Sequence, residues 1–402
     1  MVASALDPAA PPYRILHIFR APVGGLFRHV SDLARLQAGA GHEVGIVCDA
    51  STGGDRAARQ LAELEPSLAL GVTRLPMRRN PGPSDIAVLW ATARRAEATG
   101  ATVLHGHGAK GGVYARLAPV ASRGPAPIRA YTPHGGSYNY RPGTAMHRLY
   151  MGAERLLALR TDAFLFESEY VAGRHRAYVG DSGRLTRIVH NGIDECEFDR
   201  VEPAAERYDL LYIGELRDAK GVPFLLDALA SLRAAGRPLR LLMVGSGPDS
   251  DTLRDRVRTM GLGEAVAFEP PQPIRAVLAR GRIMVVPSLA ESLPYVVLEA
   301  AAAQQPLVST NVGGIPEIFG AAAQDLVPPR DAAALAAGIA RVLDEAPEAR
   351  LARFRELSAS VQARFSMKRM GADVLSGYAA AFRARGASAT GRPLSQNAPK
   401  ST

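Results

Sequence analysis

The sequence predicts an α/β protein made of two doubly wound halves. From Tyr13 onward, short apolar runs alternate with amphipathic stretches, the pattern of parallel strands covered by helices on both faces. The alternation restarts at "YDLLYIGE" (208–215), after the irregular segment "HNGIDECEFDRVEPAAER". With 402 residues, 47% of them hydrophobic, the chain can bury a core in each half.

In the first half "RILHIF" reads as a strand, "LFRHVSDLARLQAGAGH" as a helix ending at glycine, and "EVGIVC" as the next strand. The strands "TVLHGHG", "IRAYTPHGG" and "AFLFES" follow, with helices between them. The second half runs strand "YDLLYIGE", helix "VPFLLDALASLRAAG", strand "LRLLMVG", helix "DSDTLRDRVRTMG", and strands "AVAFEP" and "RIMVVPS". The predicted domains are 13–200 and 201–366, with a helix over 367–385 returning to the first. Residues 1–12 and 386–402, polar and bearing Pro and Ser, are expected to be disordered.

Composition removes several classes. No run of eighteen uncharged apolar residues exists, so no transmembrane helix is expected. The start lacks a basic region ahead of its first apolar run, so no secretory signal is expected. Two cysteines, Cys48 and Cys196, offer neither a disulfide framework nor a zinc knuckle and fit a reducing cytoplasm. The net charge of +9 is carried almost wholly by arginine, since Lys110, Lys220, Lys368 and Lys400 are the only lysines. Nucleotide bias explains such a composition, and so does attraction to an anionic partner. No stripe of basic and aromatic residues marks a nucleic-acid module. Arginines in "RLYMGAERLLALR" (148–160) and "RHRAYVGDSGRLTR" (174–187) suit anionic membrane headgroups better.

Open α/β sheets bind ligands beyond the carboxyl ends of their strands, and the unusual residues fall there. Gly24 and Gly25 lie between the first strand and first helix, where backbone amides can approach an anion; a plain tight turn explains them equally. Neither this loop nor "VGSGPDSDTL" (244–253) has the G-x-G-x-x-G spacing, which disfavours an NAD-dependent oxidoreductase. His105 and His107 end one strand and His134 ends another, so two strands deliver histidines to one edge. Without a neighbouring Cys or an H-x-x-E-H spacing, a substrate-facing role is preferred to a metal site. Arg217 and Lys220, in "YIGELRDAKGV", suit a diphosphate: arginine offers a planar fork and lysine a point charge. In "ESLPYVVLE" (291–299) Glu291 follows a strand, Pro294 suits a first helical turn, and Glu299 falls a turn and a half further in. A carboxylate there can accept sugar hydroxyls while the helix-start amides hold phosphate.

Together these segments resemble a known family. "PSLAESLPYVVLEAAAAQQPLVSTNVGGIPEI" is similar to the E-x7-E region of the retaining GT-B glycosyltransferases of family 4. "GELRDAKG" resembles that family's G-x-L-x-x-x-K-G loop, and "HNGID" its interdomain Asn-Gly-Ile-Asp. The likeness extends from about Tyr13 to Tyr378 and, among branches, resembles bacterial enzymes that build exopolysaccharide or capsule repeat units. It implies two Rossmann-like domains facing a cleft, the first for the acceptor and the second for the nucleotide sugar, UDP- or GDP-linked. Glu299 would hold the ribose, Glu291 the donor sugar and Lys220 the diphosphate, with Leu293, Pro294 and Tyr295 lining the donor site. His107 would face the reacting sugar, and Gly24, Gly25 and His134 the phosphate and acceptor.

The chain departs from the family pattern twice. Glu215 stands where an arginine is usual, so that task passes to Arg217, and Leu293-Pro294 replaces Phe-Gly. The implied reaction retains configuration, needs no metal, and uses a glycan or lipid-linked acceptor of exopolysaccharide, capsule or lipopolysaccharide synthesis. The implied place is the cytoplasm, at the inner face of the membrane. Other readings are a small-metabolite glycosyltransferase or nucleotide-sugar epimerase on the same scaffold, or a non-catalytic nucleotide-sugar-binding protein. No carboxylate pair flanking a glycosidic bond is evident, which argues against a glycoside hydrolase.

Overall fold

The computed structural model describes residues 12–121 and 124–389. The expectation of disorder at both ends concerns segments that fall largely outside the described residues. Two compact units emerge. The first holds the described residues to Glu167, Ala172–Val189, and those from Lys368 on; the second holds Ser168–Val171 and His190–Met367.

The first unit contains β1 (Arg14–Phe19), β2 (Glu43–Asp49), β3 (Val72–Leu75), β4 (Val103–His107), β5 (Ile128–Thr132), β6 (Ala163–Phe166) and β7 (Leu185–Ile188). They form one sheet in the order β3-β2-β1-β4-β5-β6-β7, every pair parallel. The inner strands are buried almost throughout, as a parallel sheet covered on both faces requires. Consecutive strands run outward from β1 on one side and from β4 on the other, so the topological switch point lies between these two. Their register pairs His17 with His105 and Phe19 with His107. Side chains on a strand alternate faces, so His105 and His107 project to the same side.

The second unit contains β8 (Tyr208–Ile213), β9 (Leu241–Val244), β10 (Val266–Glu269), β11 (Gly281–Val286) and β12 (Leu307–Ser309). Their order is β10-β9-β8-β11-β12, again parallel, with the switch point between β8 and β11. The Leu289 amide donates to the Ala219 carbonyl at 2.9 Å, which ties the loop after β11 to the loop after β8.

The division falls at Val189/His190 rather than at 200/201. Packing explains the difference. Asn191 Nδ2 donates to the Leu293 carbonyl at 2.8 Å and the Ile193 amide to the Phe365 carbonyl at 2.7 Å, so "HNGID" is built into the second unit. The last helix runs Met367–Ala389, past its expected end at 385, and belongs to the first unit from Lys368 on. Its Tyr378 is fully buried there, bonded to His105 and Gln37.

Candidate functional site

In the second unit the loops beyond β8 and β11 bring the nominated charges together. Lys220 Nζ donates to Glu291 Oε1 at 2.6 Å, and Ser288 Oγ donates to the same oxygen at 2.7 Å. The side chains are 22% and 10% exposed, so the pair is largely desolvated while Lys220 keeps an open side. Gly221 makes the approach possible. It lies at φ +65°, and an added Cβ would collide with the Pro287 carbonyl at the end of β11. The Thr310 hydroxyl donates to the Ser288 carbonyl at 2.6 Å, and the Gly314 amide to the Ser292 carbonyl at 2.8 Å. The Glu291 loop is therefore held from both sides.

Arg217 is more loosely placed. Its Nε lies 3.4 Å from Glu215 Oε2, both side chains about half exposed, an arrangement worth little to stability and easily redirected toward a ligand. Glu299 is half-buried on the Tyr295–Ala302 helix. Leu293 and Tyr295 enter the hydrophobic core, 2% and 6% exposed, so their side chains support the loop from beneath rather than line a site. Pro294 stands at the N-cap in extended conformation, one residue before the first turn that the sequence suggested for it. Arg217, Lys220, Glu291 and Glu299 thus share one unit.

In the first unit Gly24, at φ +64°, and Gly25 begin the exposed N-terminus of the Gly24–Gly39 helix, with no side-chain cap and no acid in the first turn. The histidines beside the switch point form a larger group than the sequence suggested. His17 from β1 and His29 from the first helix join His105, His107 and His134, making five of the chain's nine histidines. His107 is 1% exposed, and both its ring nitrogens are engaged: Nε2 lies 2.9 Å from His17 Nδ1, and Nδ1 lies 3.1 Å from His134 Nε2. His134, half-buried and at φ +50°, is the outermost of the hydrogen-bonded rings. The expectation that His107 faces the reacting sugar shifts to His134, because His107 lies beneath it.

The tautomers follow from the anchors. Gln37 Nε2 points at the Tyr378 hydroxyl, 3.4 Å away, so its Oε1 accepts from His17 Nε2 at 2.7 Å. His17 Nδ1 then accepts from His107 Nε2, and His107 Nδ1 from His134 Nε2. Tyr378 donates to His105 Nδ1 at 2.7 Å, leaving His105 Nε2 to donate to Thr132 Oγ1 at 2.9 Å. Burial pushes His17 down to about 4 and holds His105, His107 and His134 well below the usual histidine range, so all four are neutral near pH 7.

A buried ion pair supports the His134 loop. Arg116 Nη1 meets Glu154 Oε2 at 2.7 Å, and Ser137 Oγ donates to Glu154 Oε1 at 2.8 Å. The Gly135 amide donates to Glu167 Oε1 at 2.5 Å. A cavity of about 330 Å³ elsewhere in the second unit, lined by Arg200, Arg207, Arg282, Gln304 and Arg350 among others, includes none of the nominated residues.

Sequence reasoning singled out Lys220, Glu291 and the strand-end histidines, and did not single out Ser288, His17, His29, Gln37 or Tyr378. His17 sits inside an apolar strand and His29 inside an amphipathic helix; strand register brings His17 beside the β4 histidines, and ring packing from the helix brings His29.

Two parallel α/β units with charged residues at the second switch point define the class: this is the GT-B fold. The solved structure of Anabaena HepE in complex with UDP-glucose has the same fold, with TM-score 0.74, 17% identity, and coverage of 91% of this chain and 99% of that one. The model described as "Glycosyltransferase Family 4" matches residues 23–196, and that described as "Glycosyl transferases group 1" matches 207–345. The chain belongs to this family of glycosyltransferases. Among its relatives, the glycogen synthase of Mycobacterium tuberculosis is 35% identical over 164 residues, 39% of this chain and 40% of that protein. The protein EpsD of Bacillus subtilis is 28% identical over 261 residues, 61% of this chain and 68% of EpsD.

Proposed function

We propose that this protein is a retaining glycosyltransferase that moves a sugar from a UDP- or GDP-linked donor to a glycan acceptor. The observation that carries the reading is the Lys220–Glu291 pair at the switch point of the second sheet, beside the helix that bears Glu299. In this reading Glu299 accepts hydrogen bonds from the ribose. Lys220 and Arg217 meet the diphosphate, and Glu291 first orients Lys220 and then accepts from a donor-sugar hydroxyl. As the glycosidic bond breaks, charge grows on the departing phosphate. A cation already fixed and partly desolvated stabilises that charge without reorganising. The departing phosphate takes the proton of the attacking hydroxyl on the same face, so configuration is retained and the diphosphate needs no metal.

The first unit takes the acceptor, with Gly24, Gly25 and His134 facing it. In the deduced tautomer His134 keeps a lone pair on Nδ1, which can accept from an acceptor hydroxyl. The acceptor class proposed is a lipid-linked intermediate of exopolysaccharide, capsule or lipopolysaccharide synthesis, met at the inner face of the cytoplasmic membrane. The Ala145–Ala158 helix supports this. It exposes Met146, Leu149 and Leu156 together with Arg148 and Arg155, and Leu159 and Arg160 follow it. Apolar side chains beside arginines suit an anionic interface. No helix among the described residues is long and apolar enough to cross a membrane.

A thermal-shift screen of UDP-, GDP- and ADP-sugars alongside NAD, followed by turnover of the stabilising donor, tests the reading. One nucleotide sugar should stabilise the protein and be turned over, and both Lys220→Ala and Glu299→Ala should lose turnover. Stabilisation by NAD alone, or full turnover in both variants, would overturn it.

A further inference from the structure

The cavity of about 330 Å³ in the second unit lies at the edge of the sheet opposite the switch-point charges. Its wall includes Arg207, just ahead of β8, Arg282, the second residue of β11, and Pro306, just ahead of β12. The strands of this sheet run parallel, so these residues gather at their amino ends, whereas Lys220 and Glu291 follow the carboxyl ends of β8 and β11. β11 spans 6 residues, so the two edges stand at least about 16 Å apart.

We propose that this cavity is a binding site for a small phosphate ester of the size of a phosphorylated monosaccharide. The inference goes beyond the transferase reading and does not depend on it.

Charge carries the argument first. Arg200, Arg207, Arg282 and Arg350 line the cavity, and Glu348 is the one acid among its lining residues. Glu348 is exposed and stands in the first turn of the Pro347–Arg364 helix, where an acid complements the helix dipole. Arg282 Nη1 lies 3.1 Å from Asp209 Oδ1, so that arginine is answered from outside the cavity. Arg350 Nη1 donates to the Val342 carbonyl at 2.9 Å, which fixes the half-buried guanidinium without neutralising it. Among the described residues the side chains of Arg200 and Arg207 have no hydrogen-bond or ion-pair partner. Elsewhere in this unit Arg237, Arg256 and Arg280 each meet a carboxylate at 2.6–2.7 Å. Unanswered like charges on one wall repel, and a phosphate dianion between them would relieve that repulsion through charge-assisted, bidentate hydrogen bonds. Arg200, Arg207 and Arg282 are exposed, so the charged side of the cavity faces solvent.

Size and lining carry it further. Small-molecule sites span about 300–1,000 Å³, and this one falls at the lower end, suited to a phosphorylated monosaccharide rather than a nucleotide sugar. Pro306 and Leu351, both half-buried, supply an apolar side for the carbon face of a sugar ring. Gln304 supplies an amide that can accept from a sugar hydroxyl or donate to phosphate. It sits at φ +57° just after the cap of the Tyr295–Ala302 helix, the position where glycine is the ordinary residue. A side chain kept there strains the backbone and places a polar group on the cavity wall.

The test is calorimetric titration of glucose 1-phosphate, glucose 6-phosphate and glucose into the full-length protein at low ionic strength. At least one ester should bind at one equivalent, and glucose should not bind. The double variant Arg200→Ala/Arg207→Ala should weaken ester binding roughly tenfold or more, since each lost contact is charge-assisted. Gln304→Gly should weaken it about threefold or more without lowering the melting temperature, because glycine suits that backbone. Both arginines are exposed, so the double variant should fold, which circular dichroism verifies. Lys220→Ala should leave ester binding unchanged. Wild type that binds neither ester, or binds glucose as tightly, would overturn the proposal. So would binding undiminished in either cavity variant, or binding lost in Lys220→Ala, which would place the ester at the switch point. Because the cavity and the switch point occupy opposite edges, failure here leaves donor binding and turnover untouched, and the reverse also holds.

Discussion

Acidification should unfold the first unit well before carboxylate protonation would do so. His17 is pushed down to about 4, chiefly by burial, and His175, bonded to Tyr138 at 2.8 Å, is pushed down to about 4 for the same reason. An unfolded histidine titrates near 6.5, so between about pH 6.5 and 4 the unfolded chain binds protons that the folded chain refuses. Stability is therefore complete above that window and falls as pH drops through it. At about pH 5.5 each such group removes roughly 1 to 1.5 kcal/mol, against under about 0.1 kcal/mol at about pH 7.5. His17 and His175 together cost roughly 2 to 3 kcal/mol, and His105, His107 and His134, shifted the same way, add to it. Whole-domain stabilities are about 5–15 kcal/mol, so this loss is decisive. Urea denaturation at the two pH values measures it. A difference below about 1 kcal/mol, or resonances of His17 and His175 titrating near 6.5 in the folded protein, would refute the argument.

Three further perturbations have definite expected outcomes. Glu154→Ala leaves Arg116 buried without its counter-ion, and should cost about 3–5 kcal/mol in denaturant unfolding. Tyr378→Phe removes the hydroxyl shared by Gln37 and His105, and should cost about 1–3 kcal/mol by the same measurement. The pair Leu149→Asp and Leu156→Asp should lower sedimentation with anionic vesicles at low salt without changing the melting temperature. Wild-type protein that ignores such vesicles would end the membrane proposal.

Much of the fold is legible in the sequence because the inner strands, buried on both faces, are written as nearly continuous apolar runs. β1 coincides with "RILHIF" residue for residue. The strands absent from the sequence reading, β3, β7 and β12, all lie at sheet edges. β3 and β7 are only partly buried, so "VTRL" and "LTRI" carry polar residues that hide them, and β12 spans three residues. At the second switch point the charges were visible but their pairing was not. Lys220 and Glu291 are 71 positions apart, and only the β8–β11 neighbourhood and the close approach at Gly221 join them. The histidine network was least legible. It depends on register, on the return of the last helix with Tyr378, and on the direction of one amide, Gln37, none of which leaves a local pattern.

The central claim is that a nucleoside diphosphate is held at the second switch point by Lys220 and Glu299. Calorimetric titration of UDP and GDP into wild type, Lys220→Ala and Glu299→Ala measures it most directly. One diphosphate should bind wild type at a single site. Each variant should lose about 1.5–3 kcal/mol of binding, a Kd roughly 12- to 150-fold weaker, as expected for a hydrogen bond to a charged group. Unchanged Kd in both variants would contradict the account.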